Sequence, residues 1–351
     1  MRRFAITTTL AALCATGAFA QNDKLDRAIA AALPVCSDAK ISHGEFGRKL
    51  PLNFSATVLR VESKDRSCAG QYLAVTTPTG GFFLGTPWFL DEAQGATIEE
   101  KLKDFTWKGL QQNYVATIDR TRSPYGLYKV TLDQMTERGK LPIQGWVDPD
   151  GKVFFFGQFR SLSGDLRADR AKAFEPFVSA SPARGGANAA ITILEFSDFE
   201  CPSCKYAANF VDPIVAKHGD KVRYVRMDLP LITSHPWAFA AAVAGRAVHR
   251  QKPDVFWEYK KQIYANQDSL TAFTIDDFAR NFAKDHDLDL TKYDADIADK
   301  ALHEQILKGA GTAFSNDIRA TPSYMVNGAL VEPGSKGEEL AAYVDKLLAG
   351  K

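Results

Sequence analysis

Hydrophobic and polar positions alternate over residues 191–197, where the chain reads Ile-Thr-Ile-Leu-Glu-Phe-Ser. This alternation is typical of a β-strand with one buried face. Residues 221–227 alternate in the same way, and the segment from about residue 202 to residue 218 between them is predicted to be a helix. The pattern therefore predicts a strand, a helix and a second strand in succession.

Apolar residues recur at helical spacing through the long segment that follows residue 231. The pattern predicts four or five consecutive helices, the last of which places apolar residues four apart, at Leu302, Ile306, Ala310, Phe314 and Ile318. After these helices, two β-rich runs at residues 323–326 and 329–331 flank Asn327-Gly328, a dipeptide favoured in tight hairpins. We therefore predict a helical insertion over about residues 232–318, followed by a β-hairpin.

The first half of the chain has a different pattern. Short β-rich runs predict antiparallel strands at residues 52–61, 71–76, 81–84, 114–118, 127–132 and 153–159. A helix is predicted over residues 21–33, and another begins at Thr97, which is followed three residues later by Glu100 as in a capping box. Residues 21–164 are therefore predicted to form an α+β domain.

The stretch between the two halves is predicted to be a helix and a linker, over residues 165–188. Its first part, residues 165–177, has helical periodicity. Residues 179–188 are small, polar and rich in glycine, a composition typical of a flexible connection. A second domain is therefore predicted over residues 189–351.

The first 20 residues are predicted to be a signal peptide. They contain two arginines, an apolar run and the sequence Ala18-Phe19-Ala20, which matches a cleavage site. The full chain has 43 basic and 42 acidic residues, and removal of Arg2 and Arg3 leaves 41 against 42, a net charge of −1. A nearly neutral protein without a basic stripe is a poor candidate for nucleic-acid binding. We expect an exported, periplasmic protein.

Four cysteines would remain after cleavage, an even number suited to a compartment in which disulfides persist. Cys36 and Cys68 are predicted to form a structural disulfide, with a redox relay to the other pair as the alternative. Cys201 and Cys204 lie at a predicted helix start, where unpaired N–H groups and the helix dipole favour a thiolate. They are the candidate redox pair.

The residues around this pair resemble a known active site. The sequence Phe-Glu-Cys-Pro-Ser-Cys over 199–204, preceded by a strand, resembles the active site of the DsbA-type thiol-disulfide oxidoreductases of the thioredoxin superfamily. Over about residues 189–351 the predicted elements also follow the order of that family. The resemblance implies an α/β fold, namely a thioredoxin fold with a helical insertion, preceded by a separate α+β N-terminal domain.

The N-terminal region is only weakly similar to the DsbC/DsbG group, through residues 145–159 and the helical stretch that follows. In that group the corresponding residues lead to a linker in a dimeric protein. The similarity suggests a homodimer formed through the N-terminal domain.

The resemblance assigns roles to the cysteine pair and to the residues between the two cysteines. It implies that Cys201 is the nucleophile and that Cys204 resolves the mixed disulfide, as disulfide exchange requires. Pro202 and Ser203 are expected to tune the reactivity of the pair. The histidine found at this place in many strong oxidases is missing.

Three further residues match functional positions of the family. Thr321-Pro322 is at the position of its cis-proline; the alternative is a trans proline that begins an edge strand. Glu195 matches a buried acidic residue that can pass protons to the resolving thiol, although it could instead lie on the solvent side of its strand. His235 matches a His-Pro at the start of the insertion, where a role in helix entry is expected.

The sequence therefore predicts an exported thiol-disulfide oxidoreductase that acts on cysteine-containing secreted proteins and is recycled by a membrane redox partner. It predicts no cofactor and no metal site. The direction of electron flow is open between an oxidase and an isomerase or reductase. Two other classes use the same cysteines: a protein that handles Cu(I) through two thiolates, and a chaperone or binding module.

Overall fold

A computed structural model of the protein describes residues 16–36, 38–64 and 69–350, with side chains from residue 24 onward. Most of the predicted signal peptide and Cys68 lie outside the described residues. The α-helices within them are α1 (Thr16–Ala32), α2 (Ile98–Leu110), α3 (Leu166–Val178), α4 (Pro202–Tyr206), α5 (Asp212–His218), α6 (Ala238–Gln251), α7 (Val255–Asn266), α8 (Ile275–Asp285), α9 (Leu290–Ile297), α10 (Lys300–Ser315) and α11 (Glu338–Ala349). None of these helices has both the length and the apolar character needed to cross a membrane.

The first of two N-terminal sheets is antiparallel and has the strand order β1-β2-β3-β4-β10. Its strands are β1 (Lys40–Glu45), β2 (Ser55–Glu62), β3 (Gly70–Thr76), β4 (Gly81–Leu84) and β10 (Arg160–Ser161). Helix α1 packs its apolar residues against this sheet, where Ile29 and Leu33 meet Leu59 and Phe82 in one buried cluster. The predicted strands at 52–61, 71–76 and 81–84 are confirmed to within a few residues.

The second N-terminal sheet is also antiparallel, with the strand order β5-β9-β8-β7-β6. Its strands are β5 (Pro87–Phe89), β6 (Tyr114–Asp119), β7 (Tyr128–Thr136), β8 (Gly139–Val147) and β9 (Val153–Phe156). Helix α2 begins with the predicted capping box, since Thr97 and Glu100 exchange hydrogen bonds. The sequence pattern does not predict strand β8, because Pro142 and two glycines interrupt its apolar positions.

The third sheet belongs to the C-terminal region and has the order β11-β13-β12-β14-β15. Its strands are β11 (Ala183–Gly185), β12 (Ile191–Ser197), β13 (Val222–Asp228), β14 (Ser323–Val326) and β15 (Ala329–Val331). The β12 and β13 strands are parallel, β14 pairs antiparallel with β12, and Asn327-Gly328 turns the chain into β15. Helices α6 to α10 lie between β13 and β14, so the predicted thioredoxin-like fold with a helical insertion is confirmed.

The prediction that β12 has one buried face was wrong, because six of its seven residues are buried. On one face Ile193 packs with Ile214 of α5 and Leu340 of α11. On the other face Leu194 and Phe196 join a cluster that includes helices α6 and α10. The strand is central in its sheet and covered on both sides, as is typical of parallel strands.

Two other predictions around this sheet need correction. The single helix predicted over residues 202–218 is two helices, α4 and α5. The second starts at Asp212-Pro213, where the proline falls in the first turn and leaves no helical hydrogen bond unmade, whereas in the interior of one long helix it would remove a backbone hydrogen bond. The stretch predicted as a linker contains β11, which pairs with β13. Gly185 allows this pairing, since a Cβ there would lie 2.1 Å from the Val222 carbonyl oxygen.

The N-terminal region packs closely against the thioredoxin-like region. Helix α10 lies on β8, where a Cβ on Gly311 would be 2.0 Å from the carbonyl oxygen of Pro142. The side chain of Arg170 in α3 is fully buried and donates to the Gly328 carbonyl at 3.0 Å and to the Ala32 carbonyl at 3.2 Å. The N-terminal region and the thioredoxin-like region are therefore joined by buried contacts of helix α10 and helix α3.

Candidate active site

The first turn of α4 presents the two cysteines. Cys201 is the N-cap residue of this helix, and its carbonyl oxygen accepts hydrogen bonds from the N–H groups of Cys204 and Lys205. Both cysteines are free thiols, Cys201 being 6% exposed and Cys204 fully buried. The structure therefore describes the dithiol form of the pair.

The pKa of Cys201 is lowered from its ordinary value of 9.0 to about 5. The main cause is a hydrogen bond from the Cys204 thiol, with further contributions from Thr321 and from the backbone N–H groups of Cys204 and Ser203, while burial opposes them. Hydrogen bonds donated to a thiolate favour the charged form. Cys201 is therefore mainly a thiolate at neutral pH, the form that attacks disulfides.

Cys204 has the opposite environment. Burial raises its pKa well above the ordinary value, and the neighbouring Cys201 raises it further. The N–H of Asp198 donates to the Cys204 sulfur at 3.4 Å, one of the few interactions that favour its thiolate. The two thiols thus differ in charge at neutral pH, with the negative charge on the more exposed sulfur.

The predicted proline faces this pair from the end of the insertion. The Thr321-Pro322 peptide bond is cis, as the resemblance implied, and it immediately precedes β14. The Cys201 thiol lies 3.4 Å from the Thr321 carbonyl oxygen. Two segments more than a hundred residues apart in sequence therefore meet at the nucleophilic sulfur.

Pro202 and Ser203, between the cysteines, are both exposed. Pro202 is the first residue of α4, where its missing N–H leaves no helical hydrogen bond unmade. Ser203 contributes a backbone N–H to the Cys201 sulfur, which helps to lower the pKa of Cys201. Their expected tuning role stays a prediction.

Glu195 lies on the interior face of β12 and is 1% exposed, so the solvent-facing alternative is excluded. Its carboxylate accepts a short hydrogen bond from the Tyr224 hydroxyl, and Oε2 is 3.9 Å from Nζ of Lys260. Lys260 also donates to the Ala208 carbonyl at 2.8 Å. Burial lowers the pKa of Lys260, and the charge of Glu195 opposes this effect. Glu195 and Lys260 therefore form a buried ion pair.

A second buried carboxylate, Asp198, connects the cysteines to the start of the insertion. Its Oδ2 lies 2.8 Å from Nδ1 of His235 and accepts from the Leu231 N–H at 2.8 Å. Its Oδ1 accepts from the Glu200 N–H at 2.7 Å, and the Glu200 carboxylate accepts from the Trp237 N–H at 2.7 Å. The loop that precedes Cys201 is therefore held to the loop that precedes α6.

The sequence analysis missed several of these neighbours. Gln267 in the insertion donates to the carbonyl oxygens of Phe199 and Cys201, at 2.8 Å and 3.1 Å. The guanidinium of Arg226, fully buried, lies 3.8 Å from the ring centre of Phe199. Neither Gln267 nor Lys260 belongs to a short motif, so no local pattern marks them. Arg226 is a polar position in the alternating pattern of β13, which predicts exposure to solvent instead of burial.

Of the other predicted cysteine pair, Cys36 lies within the described residues and Cys68 does not. Cys36 is disulfide-bonded, and it lies on the border of the same groove as Thr321 and Pro322. Its predicted partner, Cys68, lies outside the described residues, so their pairing stays a prediction. Among the described residues, no group of three or more histidine, cysteine or carboxylate side chains could hold a metal ion.

About half of the chain matches the model of a known protein family. Residues 178–346 match the model of the family described as Thioredoxin. Among curated proteins, the Na(+)/H(+) antiporter NhaA 1 of Mycolicibacterium gilvum is 35% identical over 148 residues, which cover 41% of this chain and 23% of the antiporter. NhaA 1 of Salinispora arenicola is 32% identical over 167 residues, which cover 48% of this chain and 24% of that protein. The chain thus spans about a quarter of the length of these relatives.

Two solved structures of bacterial proteins are also similar to part of the chain. Oxidised BdbD from Bacillus subtilis has 22% identity and a TM-score of 0.43, and the match covers 49% of this chain and 95% of BdbD. The thiol-disulfide exchange protein alpha-DsbA2 from Wolbachia pipientis has 16% identity and a TM-score of 0.44, with 52% of this chain and 96% of that chain covered.

The family match and the strand order of the third sheet lead to the same assignment. The match begins in α3 and ends in α11, so it includes the Cys pair, the insertion and the cis-proline. Residues 178–346 therefore resemble the thioredoxin family in sequence and have its fold, interrupted by helices as in the DsbA-type proteins, which confirms the predicted resemblance of the C-terminal half.

Proposed function

We propose that the protein is an exported thiol-disulfide oxidoreductase that exchanges disulfides with cysteine-containing client proteins in the periplasm. The observation that carries the proposal is the asymmetry of the pair. The pKa of Cys201 is lowered to about 5, whereas burial holds the pKa of Cys204 well above its ordinary value. Exchange needs one thiol that attacks or leaves as a thiolate and a second that waits in protonated form.

In the oxidising direction, a client thiolate attacks the Cys201 sulfur of the Cys201–Cys204 disulfide. A client–Cys201 bond forms, the intramolecular bond breaks, and Cys204 leaves as a thiolate that takes up a proton. A second client thiolate then attacks the client sulfur of this mixed disulfide and releases the Cys201 thiolate. The client loses two electrons, which the cysteine pair gains, and the reverse sequence reduces a client disulfide.

Cys204 needs a proton donor during this cycle, because a buried thiolate is unfavourable. Glu195 is the candidate, as the resemblance implies. Its carboxylate, which lies 3.9 Å from Lys260 Nζ and accepts from the Tyr224 hydroxyl, takes up the Cys204 proton when the pair becomes oxidised and returns it when Cys204 leaves as a thiolate. We infer that Glu195 passes protons to and from Cys204.

The low pKa of Cys201 supports the oxidising direction. A stabilised thiolate makes the reduced form of the pair more stable, and a disulfide whose reduced form is stabilised is a stronger oxidant. An oxidase of this kind needs a membrane redox partner that reoxidises the pair. An isomerase would be kept reduced and would be consistent with the predicted homodimer, which sedimentation of the full-length protein would test.

The Cys204→Ala variant tests the exchange mechanism directly. It retains the nucleophile and loses the resolving thiol, so we expect it to accumulate mixed disulfides with exported proteins, visible on non-reducing gels and released by reductant. The Cys201→Ala variant is the control and should form none. If Cys204→Ala captures no protein in the periplasm, the exchange mechanism is wrong.

Two measurements on the wild-type protein decide the direction. Alkylation of free thiols in cells immediately quenched with acid reports whether the pair is mainly oxidised, as an oxidase requires, or mainly reduced. Refolding of reduced and of scrambled ribonuclease then separates oxidation from isomerisation. A pair that is mainly reduced in cells and active only on the scrambled substrate would contradict the oxidising direction.

A further inference from the structure

One face of helix α7 turns polar side chains towards the active site. Lys260, Tyr264 and Gln267 follow one another at the spacing of a single helix face, and all three are buried. The buried face of a helix is ordinarily apolar, because a buried polar group costs free energy unless it is hydrogen-bonded. Lys260 forms the ion pair with Glu195. The two uncharged members of this face, Tyr264 and Gln267, therefore need buried partners of their own.

The Tyr264 hydroxyl lies beside the two residues that follow Phe196 in the chain. It is 3.0 Å from the Ser197 hydroxyl and 3.4 Å from the Asp198 carbonyl oxygen. Both residues also contact Cys204. The Asp198 N–H donates to its sulfur at 3.4 Å, and a hydrogen bond from the Ser197 hydroxyl counteracts the rise that burial causes in the pKa of Cys204. A hydroxyl that accepts a hydrogen bond becomes a stronger donor, so Tyr264 strengthens the bond from Ser197 to Cys204.

Gln267 binds the next part of the same segment. Its side-chain amide donates to the carbonyl oxygens of Phe199 and Cys201, at 2.8 Å and 3.1 Å. The Cys201 carbonyl also accepts from the Cys204 N–H in the first turn of α4. One amide therefore holds the turn that directs the N–H groups of Ser203 and Cys204 at the Cys201 sulfur.

These contacts favour the reduced pair over the disulfide. A thiolate is a strong hydrogen-bond acceptor, whereas an uncharged sulfur is a weak one. The disulfide also holds the two cysteines together by a covalent bond, so it depends less on the segment around it. Donors that are held at the two sulfurs therefore stabilise the reduced form relative to the oxidised form.

We propose that Tyr264 and Gln267 are positioning residues that set the redox equilibrium of the cysteine pair, so that helix α7 of the insertion helps to make the protein an oxidant. This inference rests on the proposed function, because it concerns the same pair. Tyr264 acts through the Ser197 hydroxyl, and Gln267 acts through the Phe199 and Cys201 carbonyls. Loss of either set of donors shifts the equilibrium towards the disulfide.

Equilibration with glutathione at neutral pH tests the proposal. Two glutathione molecules reduce the protein disulfide and become one glutathione disulfide. The pair gains two electrons and becomes the Cys201 thiolate and the Cys204 thiol, and one proton is released. The reduced fraction of the full-length protein is measured at several glutathione ratios by acid quenching, alkylation and peptide mass, which separates this pair from other cysteines. These fractions give the equilibrium constant for reduction.

Tyr264→Phe and Gln267→Met each remove hydrogen-bond donors and leave every charge in place. The charged groups of Glu195, Lys260 and Arg226 are therefore the same in each variant. We expect each variant to lower the equilibrium constant for reduction on the order of three- to tenfold, the effect of about one hydrogen bond.

Matched controls lie on the same helix. Tyr259→Phe removes another fully buried hydroxyl, which donates to the Ala241 carbonyl at 2.9 Å instead of to the active-site segment. Gln262→Met removes an amide that donates to Glu258 at 3.3 Å. Both should leave the equilibrium constant unchanged, because a purely structural loss destabilises the oxidised and the reduced form alike.

Ser197→Ala tests the hydroxyl contact separately, and it also gives a result if Tyr264→Phe fails to fold. It should lower the equilibrium constant in the same direction. Because Tyr264 acts through Ser197, the double variant Ser197→Ala/Tyr264→Phe should show the same shift as Ser197→Ala alone. A double variant whose shift equals the product of the two single effects would contradict the chain of hydroxyls.

An equilibrium constant that Tyr264→Phe and Gln267→Met leave unchanged would overturn the proposal, as would equal shifts in these variants and their controls. In both cases the pair still exchanges with glutathione, so the proposed function stands. A wild-type pair that does not exchange with glutathione would instead overturn the proposed function.

Discussion

His235 and Asp198 form a polar pair behind the candidate nucleophile, with His235 Nδ1 2.8 Å from Asp198 Oδ2. The backbone N–H of Asp198 in turn donates to the Cys204 sulfur at 3.4 Å. The pair therefore fixes the direction of a hydrogen bond that Cys204 receives when it becomes a thiolate. Sequence alone predicted only a helix-entry role for His235.

We expect His235→Ala to slow the resolution of mixed disulfides by Cys204, on the order of three- to tenfold, because the Asp198 N–H is then less well directed at the attacking Cys204 thiolate. The measurement is the lifetime of a peptide–Cys201 mixed disulfide in single-turnover experiments. His235→Asn retains a donor near the Nδ1 position and should recover much of the rate. An equal lifetime in His235→Ala and wild type, or equal slowing by both variants, would show that the pair does not position this bond.

The lowered pKa of Cys201 predicts a pH dependence of thiol reactivity. Alkylation of Cys201 should be half-maximal near pH 5, where its thiolate forms, and Cys204 should not react at neutral pH. The measurement is the iodoacetamide rate constant of the reduced protein, resolved by peptide mass. If the alkylation rate is half-maximal at a pH close to 9.0, the ordinary pKa of a thiol, the proposed environment of Cys201 is contradicted.

The same pKa links pH to the stability of the reduced form. A thiol whose pKa is lower in the folded state stabilises the fold fully above its unfolded pKa, and this contribution is lost as the pH falls through the folded value of about 5. The reduced form should therefore lose stability relative to the oxidised form as the pH falls from 7 towards 5. Differential scanning calorimetry of both forms would check this. A difference in melting temperature that stays constant over this range would contradict it.

The buried ion pair predicts a large stability change on removal of one partner. Lys260→Met leaves the Glu195 carboxylate without its charged neighbour, and breaking a buried pair in this way costs about 3–5 kcal/mol. Lys261→Met is the control on the same helix, since Lys261 has 77% of its side chain exposed and its removal should cost less than about 1 kcal/mol. Urea unfolding of the reduced proteins measures both effects.

A second substitution shows whether the charge of Glu195 is the cause. The variant Glu195→Gln/Lys260→Met keeps a side chain that can accept from Tyr224 and removes both charges, so it should be more stable than Lys260→Met alone. The loss of unfolding free energy in the double variant is compared with the sum of the losses in Glu195→Gln and Lys260→Met. If the two values are equal, the two side chains do not interact in the folded protein.

The contact of α10 with β8 predicts that Gly311 is needed for the packing of the two regions. Gly311→Ala would place a methyl group 2.0 Å from the Pro142 carbonyl oxygen, and we expect a loss of at least about 1–3 kcal/mol in unfolding free energy. Gly309→Ala on the same helix meets Phe177 at an ordinary 3.6 Å and should be tolerated. Similar effects of the two substitutions on thermal unfolding would contradict this account of the interface.

The local features of the site could be predicted from sequence. The cysteine pair at a helix start, the proline before β14 and the Asn327-Gly328 turn each depend on a few adjacent residues. The sequence does not decide the interior position of Glu195. Strand alternation assigns Glu195 to one face of β12, but it does not show that both faces are buried. The helices that cover both sides of β12 settle it.

Contacts that come from tertiary packing could not be predicted. Lys260 and Gln267 are ordinary polar residues of a helical pattern until the insertion folds over the active site and places them beside Glu195 and Cys201. Strand β11 is three residues long and glycine-containing, so its composition is that of a loop, and only its pairing with β13 makes it a strand. In both cases the chain segment that supplies the partner is distant in sequence.

The pairing of Val35 with Val331 also bears on aggregation. Strand β15 ends its sheet, and an edge strand offers free N–H and C=O groups to any extended chain, including the unfolded proteins that a thiol-disulfide oxidoreductase would meet. Val35 occupies part of that edge through the Leu330 carbonyl and the Glu332 N–H. The segment after α1 therefore shields part of this sheet edge from unwanted strand addition.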